Sequence, residues 1–375
     1  MTPRERFLAA VEFEEPDRVP IDCWITPQAY ESVKKYLGLK EEENIEWGIM
    51  YSFKVSEAFL KRLHIDFRRV YAKPAKGYPK VYPDGTIEDE LGIRYKWVQY
   101  YWEPIDHPLR RVKDVDEVEE IPWPDPEERP EKWEGLEKEA KELYEKTDYV
   151  IVGMPPGPWA VTDCAHYMRG FNNFLKDLIL NPKLACAYMD KITELAVKLN
   201  DIMLDLIGDY VQVHLSGDDL GHQRGLFFSP EIYRKYIKPR HKKVISGIKK
   251  HGDIKVLFHC DGAIRPLIKD LIEIGVDILN PVQPNLPGMD PKSLKEEFHG
   301  KLCFHGGVDL QNVMSSKGTL EDVENEVKER IAALAPGGGY IFSGGHNIQP
   351  DSSPEKILLL YDCAVKYGQY PIRIS

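Results

Sequence analysis

The runs YVIVGMP (149–155), YVQVHLSGD (210–218), KVLFHCDG (255–262), VDILNPVQ (276–283), LCFHGGVD (302–309) and YIFSGGHN (340–347) decide how this chain is read. Each is short, rich in β-branched and aromatic residues, and followed by a helix-length amphipathic stretch. Two further runs, VPIDCW (19–24) and FRRVYAKP (67–74), lie upstream and bring the strand candidates to eight. Strands alternating with helices in this number predict an α/β fold, a closed (β/α)8 TIM barrel rather than an open sheet. No GxGxxG follows the first strand and GxxxxGK[ST] is absent, which disfavours a doubly wound nucleotide-binding sheet.

Outward from the repeat, the chain opens with a helix. Thr2 is placed to cap, Pro3 suits the first helical position, and Glu5 completes a T-x-x-E box before Phe7, Leu8 and Val11. Helical periodicity returns at 27–37 and 54–64, giving an N-terminal helical extension. Between 80 and 102, turn pairs Asp84-Gly85 and Leu91-Gly92 are flanked by β-prone residues, which predicts an inserted β-hairpin or small sheet. Residues 75–130 read as an insertion, whose second part, 103–130, is rich in Pro and acid and has Val118, Ile121 and Trp123 available to anchor it. The expectation is one domain spanning 1–375.

Fifty Lys and Arg against 61 Asp and Glu leave a formal net charge of −11. That balance gives no global reason to bind nucleic acid or an anionic membrane. The start of the chain lacks the apolar core of a signal peptide and no run is long enough for a membrane span, so a cytoplasmic location is expected. Six cysteines without CxxC spacing argue against a disulfide framework or a zinc ribbon. The basic stretch 229–252 reads most simply as a solvated helix face. Its alternative is a contact in which Arg240, His241, Lys242 and Lys243 meet an acidic partner or an anionic group. Trp24, Trp102 and Trp159 lie near loops, where they can pack in the core or wall a pocket.

The strand ends carry the chemistry. They read Ser216-Gly217-Asp218-Asp219, His259-Cys260-Asp261-Gly262, Asn280-Pro281-Val282-Gln283, His305-Gly306-Gly307-Val308-Asp309 and Gly344-Gly345-His346-Asn347. In a (β/α)8 barrel the C-terminal strand ends build the active site. Singly, Asp261 and Asp309 are as readily helix N-caps, and a lone His is more often structural than a ligand. Five such ends converging on one mouth favour function. Strand alternation puts His259 and Asp261 on one side, about 7 Å apart along the strand, with Cys260 on the other. That pair can share a metal, with His346 as a third ligand, and three N/O ligands with an open position describe a catalytic zinc site. Alternatively, Asp261 only orients His259 or caps the next helix.

TPRERFLAAVEFEEPDRVP (2–20), GDDLGHQRGLFFSPEIYRKYIKPRHKKV (217–244), LFHCDG (257–262), FHGGVDLQNV (304–313) and SGGHNIQPDSSPEKI (343–357) together resemble the uroporphyrinogen decarboxylase superfamily, whose fold is a (β/α)8 barrel. True decarboxylases of that superfamily carry an arginine-rich RQAGR motif that grips carboxylates. Here the corresponding stretch reads CWITPQAYES (23–32), which points to the cobalamin-linked methyltransferase branch. Some members of that branch hold zinc with an H-x-C motif and a later Cys. Asp261 stands where the first Cys would be, and His346 where the second would be.

The resemblance therefore implies zinc on His259, Asp261 and His346, with Asp218 or Asp219 as a fourth ligand or acid–base group. Gln283, His305 and Asp309 would line the pocket. A thiolate-free set leaves zinc a stronger Lewis acid. That suits removal of methyl from a donor, as in the methyltransferase components of O-demethylase systems, with a methoxylated aromatic as leading donor. No D-x-H-x-x-G corrinoid motif occurs in the chain, so a cobalamin or related corrinoid would arrive on a separate corrinoid protein. Alternatives are transfer from methylcobamide to a thiol, a metal-free decarboxylase using Asp218 and Asp219, and a noncatalytic barrel that binds a corrinoid partner.

Overall fold

A computed structural model describes residues 1–40, 54–155, 157 and 160–374. Trp159 lies outside the described residues. The strands β1 (Phe67–Tyr71), β2 (Val150–Met154), β3 (Val213–Gly217), β4 (Lys255–His259), β5 (Ile278–Val282), β6 (Cys303–Gly306) and β7 (Tyr340–Ile341) form one sheet in chain order. Every neighbouring pair is parallel. All residues of β3, β5 and β6 are buried, as expected of strands packed inward on the barrel and outward on helices.

The upstream run closes the ring without forming a regular strand. Phe342 N–H donates to Pro20 O at 2.8 Å, Asp22 N–H donates to Phe342 O at 2.8 Å, and Asp66 N–H donates to Ile21 O at 2.8 Å. Parallel bridges pair Ile21 with Phe342 and Ile25 with Ile348. Residues 20–26 thus occupy the eighth stave, between β7 and β1. Pro20 lacks an N–H and Pro27 begins the helix Pro27–Leu37, so the segment has room for bridges only. A buried carboxylate fixes this seam. Asp66 accepts from Arg6 Nη1 at 2.8 Å, from Arg18 Nη1 at 2.8 Å and from Ile21 N–H at 2.8 Å.

The helices follow their sequence signals. Pro3–Val11 starts with the full capping box between Thr2 and Glu5. Pro182–Ile207 buries Leu184, Ala185, Tyr188, Met189, Ile192 and Ala196, a stripe at helical spacing that packs against the barrel.

Of the two forms expected for the insertion, hairpin or small sheet, the structure has the sheet. Lys80–Val81, Ile87–Glu88, Arg94–Val98 and Tyr101–Asp106 make a four-stranded antiparallel sheet. Its first two turns use Gly85 (φ 79°) and Gly92 (φ 78°), as the sequence indicated. The third turns at Gln99 (φ 55°), a left-handed residue that is not glycine and so left no mark in the sequence. Val118 is fully buried and its carbonyl accepts from Trp123 Nε1 at 3.0 Å, which anchors the acidic excursion. In the basic stretch, Lys242 and Lys243 are exposed, while Arg240 and His241 turn inward to Asp190 and Asp218.

Candidate metal centre at the barrel mouth

At the C-terminal ends of the strands lies a cavity of about 400 Å³. His259 ends β4, Asp261 follows two residues later, and His346 comes from the loop after β7. One ligand atom from each lies within 4.8 Å of the others. Donors on a tetrahedral zinc stand roughly 3.4 Å apart, so the trio needs an inward movement on the order of 1 Å to share an ion. Asp261 Oδ1 is buried without a hydrogen-bond partner, and Asp261 Oδ2 lies 3.5 Å from His346 Nε2. A buried carboxylate oxygen left unpaired is costly, and a bound cation would satisfy it. Burial also pushes His346 below its ordinary pKa, against the attraction of Asp261, which favours the neutral imidazole a metal requires. The residues present fit a divalent cation.

Two glycines make this approach possible. Gly262 adopts φ 101°, and a Cβ there would meet Gly221 C at 2.4 Å. A Cβ on Gly345 would lie 2.1 Å from Val308 O. Both let loops from different strands close around the ligands.

A row of buried hydrogen bonds stands behind His259. His259 Nδ1 lies 2.6 Å from Asn280 Oδ1, and Asn280 Nδ2 lies 2.6 Å from His305 Nδ1. His305 Nε2 lies 3.0 Å from Asp22 Oδ2, which also accepts from Arg69 Nη2 at 2.6 Å. Burial alone would raise the Asp22 carboxyl, but Arg69 and then His305 hold it well below the usual carboxylate range. His305 is therefore not a pocket wall, contrary to expectation. It is 0% exposed and set against the edge of Trp24, one step behind the cavity surface.

The adjacent pair Asp218 and Asp219 divides. Asp219 lines the cavity, and its Oδ1 accepts from Asp261 N–H at 2.8 Å. Asp218 serves the scaffold. Its carboxylate accepts from Val161, Thr162 and Asp163 N–H at 2.9, 2.7 and 2.7 Å and lies 2.7 Å from His241 Nε2. It caps the helix Thr162–Arg169 from outside that helix. Gln283 lines the cavity and accepts from Gly262 N–H at 2.8 Å. Asp309 lines it too, although its Oδ1 is occupied by Gln311 and Asn312 N–H at 3.0 Å each.

Asp163, Tyr101 and Tyr167 were not legible as site residues in the sequence, yet all three line the cavity. Asp163 sits in the first turn of the helix Thr162–Arg169, so no strand end announced it. Burial, then Asp219 and Asp218, drive its carboxyl well above the ordinary range, and its Oδ1 has no hydrogen-bond partner, with His166 Nδ1 3.7 Å away. Burial and then Asp261 raise Asp219 as well. Burial and mutual repulsion thus favour the protonated form in both carboxyls, and the backbone N–H of Asp219 donates to Asp163 Oδ2 at 3.2 Å. Tyr101 reaches the mouth from the inserted sheet, and its hydroxyl accepts from Gln349 Nε2 at 2.7 Å.

Among the described residues, no helix is long and apolar enough to cross a membrane. The uroporphyrinogen decarboxylase (URO-D) family pattern matches residues 86–367. A uroporphyrinogen decarboxylase of Bacillus cereus is 23% identical over 383 residues, covering 98% of each chain. One from Chloroherpeton thalassium is 22% identical over 215 residues, 56% of this chain and 58% of that protein. Among solved structures, a methyltransferase from Methanosarcina mazei shares the fold with a TM-score of 0.69 at 18% identity, covering 98% of this chain and 99% of that one. With a matching barrel and a family pattern that runs from the inserted sheet to the last helix, the chain belongs to the uroporphyrinogen decarboxylase family.

Proposed function

We propose that the protein is a zinc-dependent methyltransferase that passes a methyl group from a methylated small molecule to the cobalt of a separate corrinoid protein. The leading donor is a methoxylated aromatic. The observation that carries this reading is the His259–Asp261–His346 cluster, with the unpartnered Asp261 Oδ1 at its centre. A bound zinc supplies Lewis acidity to the ether oxygen that leaves. In such a transfer the methyl–oxygen bond would break, the corrinoid co-substrate would supply the electron pair that takes the methyl group, and the oxygen would keep the bonding pair. Asp163 and Asp219 are placed to return a proton to that oxygen. Trp24, Tyr101 and Tyr167 offer faces and edges to an aromatic ring.

The relatives' name favours a second reading, decarboxylation of a porphyrinogen. Against it, the described cavity lining contains Asp163, Asp219, Asp261 and Asp309 and neither Lys nor Arg. Such a lining repels a polycarboxylate.

The test is zinc content after reconstitution, on wild type and His259→Ala, followed by methylation of Co(I) cobalamin from methoxylated aromatics. The expected result is about one zinc per chain, lost in the variant, and methylcobalamin formed by wild type only. A wild type that takes up no metal, or that decarboxylates uroporphyrinogen and methylates nothing, overturns the proposal.

A further inference from the structure

We infer that Asp22, His305 and Asn280 are positioning residues that lock His259 in its Nδ1–H tautomer, so that Nε2 is its coordinating nitrogen. This inference rests on the proposed role of His259 as a metal ligand.

The row has a direction, and it can be read from its far end. Arg69 is always cationic, and Asp22, paired with it, is an ionised carboxylate that only accepts. His305 Nε2, 3.0 Å from Asp22 Oδ2, must therefore carry a hydrogen. With Nε2 protonated, the neutral His305 ring has its lone pair on Nδ1. That lone pair requires a donor, and the Asn280 amide supplies it through Nδ2 at 2.6 Å. The amide orientation is then set, and Oδ1 faces His259 Nδ1 at 2.6 Å. An oxygen there accepts, so His259 Nδ1 carries the hydrogen and Nε2 the lone pair. Reversing the amide would place an N–H against His259 Nδ1 and force a buried imidazolium at His305.

Each link sits on a different element: Arg69 on β1, Asp22 on the closing stave, His305 on β6, Asn280 on β5 and His259 on β4. His305 is 0% exposed, Asp22 and Asn280 are 1% and His259 is 6%. Water therefore does not compete for these groups, and the tautomer is imposed by the fold. A hydrogen bond from the non-ligating nitrogen of a metal-bound His orients the ring, and its loss weakens metal affinity about 10- to 100-fold.

The experiment is two-bond proton–nitrogen NMR on metal-free protein with 15N-labelled His, assigned with His259→Ala and His305→Ala. Zinc titrations of wild type, Asn280→Ala and Asn280→Asp accompany it. The expected result is Nδ1–H for His259 and Nε2–H for His305 in wild type. Asn280→Ala should move His259 toward Nε2–H and weaken zinc about 10- to 100-fold. Asn280→Asp keeps an acceptor and should restore both. A wild-type His259 that is Nε2–H or doubly protonated at pH 8 overturns the inference, whether or not the Asn280 variants fold. So does Nδ1–H in wild type with zinc affinity unchanged in folded Asn280→Ala. Correct tautomers in a wild type that binds no zinc leave the hydrogen-bonded row standing and overturn the proposed function instead.

Discussion

The indole of Trp24 lies over the imidazole of His259, with ring centroids 5.4 Å apart and planes 14° from parallel. Trp24 belongs to the stave that closes the barrel, so the seam between the chain's beginning and its last strand is also a wall of the candidate metal centre. Its Nε1 donates to Asp22 Oδ2 at 3.0 Å, which fixes the indole plane. Zinc binding at His259 places charge near this ring and is expected to change Trp24 fluorescence. The change should disappear in Trp24→Phe, although six of the seven tryptophans remain. A titration signal of full size in that variant would show that the ion binds elsewhere.

Asp163 should matter for turnover and not for metal. Asp163→Asn preserves shape but cannot return a proton to a leaving oxygen. Loss of a general acid typically costs 10²- to 10⁴-fold, and a loss toward the lower end is expected because Asp219 remains. Zinc content should stay at the wild-type level. Because the acid must be protonated and burial raises both carboxyls, wild-type activity should fall as pH rises, at a pH above the ordinary carboxyl range. An unchanged turnover in Asp163→Asn would remove that role.

Asp218→Ala should act on stability. The substitution strips three N–H groups of their acceptor and leaves His241 Nε2 without its partner. Breaking a buried charged interaction of this kind costs about 3–5 kcal/mol. Urea unfolding should show that loss, while zinc affinity of the folded fraction stays within a few fold. Wild-type stability in the variant would remove that scaffold role.

Acid should destabilise the fold through His214 and His166. Burial lowers His214 to about 3 and His166 to about 4. Below the unfolded value of about 6.5, the unfolded chain binds protons that the folded one refuses. Their contribution is therefore complete above pH 6.5 and is lost as pH falls toward the folded values. Melting temperature should decline over that window, with a shallower decline in His214→Gln. An equal slope in the variant would mean that other groups govern the acid response.

Much of the architecture lies in local pattern. The eight runs became seven strands and one bridged stave because alternation of β-branched runs with helical stripes is a local property, and one barrel closes around it. Thr2 capped where expected, and the periodicity at 27–37 became the helix Pro27–Leu37. The fourth strand of the inserted sheet was hidden because Gln99 turns the chain with no glycine.

The sequence by itself determined which strand ends carry polar chemistry, and so placed His259, Asp261 and His346 at one mouth. It could not say which neighbours face the cavity. Asp218 and Asp219 are adjacent and chemically identical, yet one caps a helix and the other meets Asp261, because successive residues leaving a strand point in opposite directions. His305 carries the same signature as His259 but sits one step deeper. Asp163 reached the site from a helix turn and Tyr101 from the inserted sheet. Such placements depend on contacts between residues far apart in the chain, and only tertiary packing decides them.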